Sequence, residues 1–253
     1  MTRTDASTDD SGQPVGEPVD WTPPAPLTAV PLSGRWVDLE PLTPVHADDL
    51  YAATCGDGRA ASWTYLADEM PASPAEARAY VERRVTDPRA ASLAIRPRGR
   101  GVEGVASWLR QDPANGSVEV GSIGLGPMLQ RSTAATEAMW LMAAHAFGAG
   151  YRRYEWKCDA LNAPSRRAAA RLGFRYEGTF RQAVVYKGRN RDTAWYSLTD
   201  GEWRALAPAY AAWLDPANFE DPERGLGQRT SLSVLVGDRL ATWRDGVPTC
   251  RDA

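Results

Sequence analysis

The stretch 125-LGPMLQRSTAATEAMWLMAAHAFGAGYRRYEWKCDALNAPSRRAAARLGF-174 decides how this chain is read. Met139, Met142, Ala143, Ala146 and Phe147 recur at the spacing of one helical face, and Gly148 with Gly150 supplies a stop, so the pattern predicts a helix from about Thr133 to Phe147. Just before it, Gln130-Arg131-Ser132-Thr133-Ala134-Ala135 is a run rich in small and hydroxyl residues. A helix start of this kind leaves backbone N–H groups unpaired and open, and it binds anions. The short apolar segment Tyr154–Cys158 predicts a strand, and Asn162-Ala163-Pro164-Ser165 opens a second helix that closes at Gly173.

Upstream, residues 1–31 are rich in Pro, Asp, Thr and Ser, which predicts a disordered leader turning into an extended arm. Trp36, Val37 and Leu39 form a short strand, Thr43-Pro44 opens a helix to about Thr54, and Ser73-Pro74 with Glu76 caps another to about Val85. Strands are predicted at Ser92–Arg96, Gly101–Leu109 and Ser117–Leu125, the last weakened by Gly121 and Gly124 in a way that suggests a bulge. Downstream, Arg175–Arg181 and Ala183–Tyr186 read as strands, Gly188-Arg189-Asn190 as a turn, Asp192–Leu198 as a strand and Glu202–Leu214 as a helix. After Trp213 only the β-branched run Ser231–Val236 stands out, either an edge strand, a contact with a second subunit or disorder.

A formal net charge of −3 argues against a dedicated nucleic-acid binder. Cys55, Cys158 and Cys250 are odd in number and far apart, so no disulfide framework and no metal site is indicated, and a reducing cytoplasm fits. No apolar run reaches the length of a membrane span, and MTRTDASTDD is not a signal peptide. The ten tryptophans, Trp63, Trp108, Trp195, Trp203 and Trp213 among them, are expected to pack at segment ends.

The succession of turn, helix, strand and helix resembles the acyl-CoA-binding core of the GNAT acetyltransferase superfamily, in the branch of the ribosomal-protein alanine acetyltransferases. In that family the turn follows Gln/Arg-x-x-Gly-x-Gly/Ala; here the positions are Gln130, Thr133 and Ala135, followed by the common Thr136-Glu137-Ala138. Asn162-x-x-Ser165, Leu172-Gly173-Phe174 and Lys187-Gly188-Arg189-Asn190-Arg191-Asp192 follow in the family's order. The resemblance covers roughly Leu32 to Trp203. It implies an α/β (α+β) fold with a mixed, partly antiparallel central sheet flanked by helices. The domain would span 32–213, with 1–31 as leader and arm and 214–253 as a C-terminal extension. It also implies acetyl-CoA as co-substrate and a primary amine as acceptor, either a small molecule or a protein N-terminus.

Acetyl transfer from a thioester to an amine needs a held CoA, a neutral amine, and stabilisation of the oxyanion and departing thiolate. The resemblance assigns the first need to Gln130, Arg131, Ser132, Thr133, Ala134, Ala135 and Thr136, whose amides would hold pyrophosphate, and to Asn162, which would bond the pantetheine arm. Thr133 replaces a glycine and adds a side chain at the phosphate approach. Arg131, and Arg166 or Arg167, would add positive charge, although the last two serve equally as a solvated helix face. Glu119, on the strand expected to bulge beside the thioester, is the candidate base and is otherwise a surface carboxylate. Many relatives carry a tyrosine acid seven residues after the asparagine, where this chain has Ala169. The alanine-acetyltransferase branch implies Ser165 instead, a hydroxyl in the first turn of a helix able to bond a developing thiolate. His145 is expected to pack on its helix, and Asp192 to fix the last hairpin. Asp68, Glu69, Glu119 and Glu177 are candidates for an acidic acceptor groove. Two readings stay open: an N-acetyltransferase acting by direct attack in a ternary complex, or a GNAT-fold protein that binds acyl-CoA or a partner without turnover. A homodimer covered by the C-terminal extension is equally open.

Overall fold

The structure is a computed structural model that describes the backbone of residues 6–242 and the side chains of residues 7–237. An exposed ribbon of β1 (Ala6–Thr8) and β2 (Pro14–Gly16) leads into an extended arm. The arm is tied down where the Trp21 indole donates to the Gly150 carbonyl (2.8 Å) and where the Leu27 backbone exchanges two hydrogen bonds with the Gln111 amide (2.6 and 2.9 Å). Then follow β3 (Leu32–Ser33), β4 (Val37–Pro41), α1 (Ala47–Thr54), α2 (Ala60–Trp63), α3 (Pro74–Thr86), β5 (Ala90–Pro97), β6 (Gly104–Asp112), β7 (Ser117–Leu125), α4 (Thr133–Gly148), β8 (Arg153–Asp159), α5 (Ala163–Arg171), β9 (Arg175–Tyr186), β10 (Arg189–Thr199) and α6 (Asp200–Leu214). A second ribbon, β11 (Phe219–Asp221) with β12 (Leu226–Gln228), precedes α7 (Leu232–Thr242).

Eight strands form one sheet in the order β3-β4-β5-β6-β7-β8-β10-β9, in which only β7 and β8 run parallel. Period-two alternation sends Leu93, Ile95, Trp108, Val118, Val120, Tyr154 and Trp156 to one face, where they share a core with Ala138, Met142 and Ala146 of α4. The opposite face carries Ala94 and Val105 beneath Leu50, Trp63 and Val81 of α1 to α3. The mixed sheet with helices on both faces is the architecture expected. Among the described residues no helix is long and apolar enough to cross a membrane.

Three local differences have clear causes. β9 is one strand, because the interruption at Gln182 is a bulge (φ 50°) whose N–H is taken by Asp192 Oδ1 at 2.8 Å. The hairpin turns at Lys187-Gly188, both with positive φ (48° and 68°), one residue earlier than the predicted Gly188–Asn190, because a two-residue turn of this hand matches strand twist. Ser231–Val236 opens a helix and is not a strand: Leu232 and Val236 sit at helical spacing, and both are buried in the main core. Cys250 lies outside the described residues.

β7 and β8 pair only as far as Val120 with Trp156. β7 continues to Leu125, bulging at Ser122 (φ 50°), and β8 to Asp159, so the two strands part and leave a wedge in the middle of the sheet.

Candidate active site

The first half of the site is the turn between β7 and α4. Gly126 is required here, because a Cβ would come within 2.9 Å of the Ala53 carbonyl oxygen, and its N–H bonds Glu103 O at 2.8 Å. Leu129 is fully buried and anchors the turn, and Gln130 Nε2 closes it on Leu125 O (2.9 Å). Arg131 takes a left-handed conformation (φ 59°). Ser132 caps α4: its Oγ accepts from Ala135 N (3.0 Å) and donates to Leu129 O (2.6 Å), while its carbonyl takes Thr136 N. The amides of Arg131, Thr133 and Ala134 have no acceptor among the described residues. An open helix start of this form holds anions.

Thr133 turns its side chain to the C-terminal ribbon. Its hydroxyl donates to Gly225 O in the C-terminal ribbon at 2.7 Å, and Gly225 (φ +63°) has no room for a Cβ between Thr133 and the Trp36 indole. Trp36 Nε1 donates to Pro222 O at 2.9 Å, so the ribbon braces the turn. Glu137 is buried and accepts from the amides of Arg35 and Trp36, both at 2.7 Å, tying α4 to the approach to β4. Burial pushes its carboxyl up and those amides pull it back. Gly34 is obligatory beneath it, since a Cβ there would overlap the carboxylate.

Beyond Arg131, three arginines were candidates or neighbours. Arg166 is engaged by Tyr196 Oη (3.1 Å) and Ala160 O, away from the turn. Arg167 is exposed. Arg171, which sequence reasoning missed, reaches Thr136 Oγ1 (3.1 Å) in the first turn of α4 and lies over the Trp213 ring (5.4 Å). Burial lowers its pKa, and among the described residues no carboxylate lies within 4 Å of it.

The second half flanks the wedge. Asn162 caps α5 by accepting Ser165 N (3.1 Å), which leaves its amide N–H free to donate. Ser165 Oγ accepts from the Trp156 indole at 2.9 Å, so its own proton is available as a donor. Cys158 beside it is buried, which raises its thiol, and a bond with Ser165 opposes that rise. Ala169 is fully buried and offers no proton.

On the opposite face, Glu119 stands one residue before the last β7–β8 rung and Lys157 one residue after it. Lys157 Nζ bonds Glu119 (2.8 Å) and Glu155 (3.0 Å) and sits 3.8 Å from the centre of the Trp195 ring. Arg153 extends the chain of charges to Glu177, which also accepts from Ser197 Oγ (2.6 Å). Burial raises the Glu119 carboxyl, and Lys157 and Arg110 work against that rise. Thus Ser165 and Glu119 face the end of the ladder from the two sides of the sheet.

The acidic groove does not form. Asp68 pairs with Arg83 (3.3 Å), Glu69 with Lys187 (3.4 Å), Glu119 with Lys157 and Glu177 with Arg153, so every carboxylate proposed for it is compensated. Asp192 fixes the hairpin through Gln182 N and Asn190 Nδ2. His145 stacks on Trp108 (5.1 Å) and stays out of the site.

Comparison with known proteins agrees with this geometry. Residues 37–175 match the family described as Acetyltransferase (GNAT) domain. A GCN5-related N-acetyltransferase from Brucella melitensis is 43% identical, with 86% of this chain and 99% of that one covered at a TM-score of 0.82. A GNAT-family acetyltransferase structure from Chromobacterium violaceum is 33% identical over 75% and 96% of the two chains, with a TM-score of 0.70. RimL, a ribosomal L7/L12 alpha-N-protein acetyltransferase, shares the fold at 21% identity, 70% and 99% coverage and a TM-score of 0.57. A search of curated proteins found no match. The open helix start, the parted parallel strands and these likenesses make this chain a member of the GNAT acetyltransferase family.

Proposed function

We propose that the chain is an N-acetyltransferase that carries an acetyl group from acetyl-CoA to a primary amine by direct attack in a ternary complex. The observation that carries this reading is the wedge, where the β7–β8 ladder ends between an open helix start on one side and the Ser165 and Glu119 side chains on its two faces. The donor set fits the co-substrate: the amides of Arg131, Thr133 and Ala134, with the guanidiniums of Arg131 and Arg171, match a pyrophosphate, and Gln130, Ser132, Ala135 and Thr136 hold the turn in shape. Unpaired edges of β7 and β8 suit an extended arm bearing amides, which Asn162 Nδ2 can bond. Acetyl-CoA supplies the activated thioester.

Within this frame Glu119 takes a proton from the incoming amine, directly or through water, and Lys157 keeps the carboxylate ionised and fixed. Ser165, held by the Trp156 indole, donates to the departing sulfur. Cys158 is buried beside Ser165 and has no histidine partner among the described residues, so it offers no covalent relay. Cytoplasmic location follows from the co-substrate. The buried Ala169 favours the second reading, acyl-CoA binding without turnover. Calorimetric titration with acetyl-CoA followed by thiol release in an amine screen separates them: binding with turnover supports transfer, binding alone supports the second reading, and absence of binding leaves only a GNAT-fold protein that binds a partner.

A further inference from the structure

The acetyl-transfer reading leaves the acceptor unnamed, and a groove on the Glu119 face of the sheet narrows it. The groove, about 580 Å³, runs between the end of α3, the start of β5 and the bulge of β7, and its lining includes Arg84, Arg89, Ser92, Ser107, Leu109 and Ser122. That volume lies within the usual range for small-molecule sites. Its inner end is Leu109, which pairs with Glu119 across β6 and β7. A Cβ built on Gly121 would come within 2.9 Å of both Leu109 Cδ1 and Glu119 Oε1, so the glycine leaves the room in which these two side chains lie together at the Leu109 end of the groove.

The charges in this groove do not cancel. Arg83 is matched by Asp68 (3.3 Å) and Arg89 by Asp87 (2.9 Å). Arg84 hydrogen-bonds only neutral groups: its guanidinium donates to Tyr80 Oη (2.8 Å), Ser107 Oγ (2.8 Å) and the Ser122 carbonyl (3.1 Å), while Asp87, already bound by Arg89, acts on it only at longer range. Its Nε is buried with no partner, and among the described residues no carboxylate lies within 4 Å of the guanidinium. The Ser92 and Ser107 hydroxyls, bonded to each other at 2.8 Å, form a polar floor beside it. At the inner end, Lys157 and Arg110 surround Glu119 and disfavour an ammonium there.

We propose that this groove takes the acceptor and that Arg84 recognises an anionic group, carboxylate or phosphate, on it, so that the preferred substrates are small amines bearing such a group. This rests on the acetyl-transfer reading. The acceptor nitrogen bonds the acetyl carbon, the carbon–sulfur bond breaks with its electron pair on sulfur, the amine proton goes to Glu119, and the sulfur is protonated by way of Ser165. Arg84 also bonds the Ser122 carbonyl, which the bulge has freed from the ladder, so occupancy of the anion site and the shape of the wedge meet in one side chain.

The test compares matched amines: β-alanine against β-alaninamide for the carboxylate, and phosphoethanolamine against ethanolamine for the phosphate. Thiol release from acetyl-CoA gives kcat/KM for each, and calorimetry gives the binding of each to the CoA-loaded protein. The wild type should prefer at least one anionic amine by roughly tenfold or more, as a charge-assisted hydrogen bond warrants. Arg84→Met should bring that ratio close to one, while Arg84→Lys should retain part of it. A strut that merely holds the bulge would lower both members of a pair equally and leave the ratio unchanged, which overturns the proposal, as does a wild type that uses or binds the neutral amines as well as the anionic ones, or binds no anionic amine at millimolar concentration. Selective binding of an anionic amine without turnover would support the anion site and overturn the transfer reading; turnover of neutral amines alone would do the reverse.

Discussion

Replacing Ser165 by alanine tests the chemistry and the packing with one change. In the intact protein the Trp156 indole donates to Ser165 Oγ at 2.9 Å, which leaves the hydroxyl proton free for another acceptor, in the proposed mechanism the departing sulfur. A hydrogen bond to a charged group contributes about 1.5–3 kcal/mol, and at about 1.4 kcal/mol per decade its loss lowers kcat roughly 10- to 150-fold. The residues proposed to hold the phosphates are untouched, so the calorimetric Kd for acetyl-CoA should stay within about twofold, with uniform binding conserved. The same change leaves a buried indole N–H without an acceptor, at a cost of about 1–3 kcal/mol of stability, which lowers Tm by several degrees. Trp156→Phe removes that orphan, so the double variant Ser165→Ala/Trp156→Phe should lose less stability than the two single changes together while kcat stays low. Stopped-flow thiol release and thermal melting read the two effects separately. A Ser165→Ala protein that melts early but turns over at the wild-type rate would refute the leaving-group role and leave only the indole contact.

Four further outcomes are expected. Because burial raises the Glu119 carboxyl, its basic form is reached only as pH rises through that elevated value; the acid limb of the kcat/KM profile should lie above the ordinary carboxylate range, move higher in Lys157→Met, where an opposing charge is gone, and vanish in Glu119→Gln. The same raised value adds stability at pH below the ordinary carboxylate pKa that is lost as pH rises through the folded one, which denaturant melts across pH can follow. Arg171→Met should raise the KM for acetyl-CoA by roughly tenfold or more with kcat unchanged, as loss of a phosphate contact requires; an unchanged KM in steady-state kinetics removes Arg171 from the site. Thr133→Val deletes the 2.7 Å bond to Gly225, costs about 1 kcal/mol, and should speed limited proteolysis in the 222–231 segment; equal cleavage rates would show that the ribbon is held elsewhere.

Much of this was legible in the chain itself. The Met139–Phe147 face, the Gly148 stop and the Asn162-Ala163-Pro164 start announce α4 and α5 because they rest on local periodicity and capping, and these need no partner. Ser132 and Ser165 were singled out by the family resemblance, and their capping and indole contacts came only with the structure. What stayed hidden depends on tertiary neighbours. Lys157 sits in an apolar strand and shows its role only when Glu119 and Glu155 are brought beside it across a parallel ladder. Arg171 looks like any last-turn arginine until Thr136 and Trp213 close on it. The acidic residues of the expected groove were counted correctly, but their cations come from distant segments, and proximity in space decides whether a carboxylate is free. Ser231–Val236 misled because β-branched residues favour strands until burial of Leu232 and Val236 overrides the preference.

The brace on the turn before α4 also sets when that turn can exist. Thr133 meets Gly225 across 92 residues of chain, and Trp36 meets Pro222 across 186. Loops of that length close late, since their entropy must be overcome before the contacts offset it. At a synthesis rate of about 5–20 residues per second, the segment that completes the turn follows Thr133 by on the order of 5–20 s. A growing chain can therefore hold a formed sheet while its helix start is still unbraced. Acquisition of acetyl-CoA binding then marks the last step of maturation, and a refolding experiment that monitors the ligand should lag one that monitors the core tryptophans.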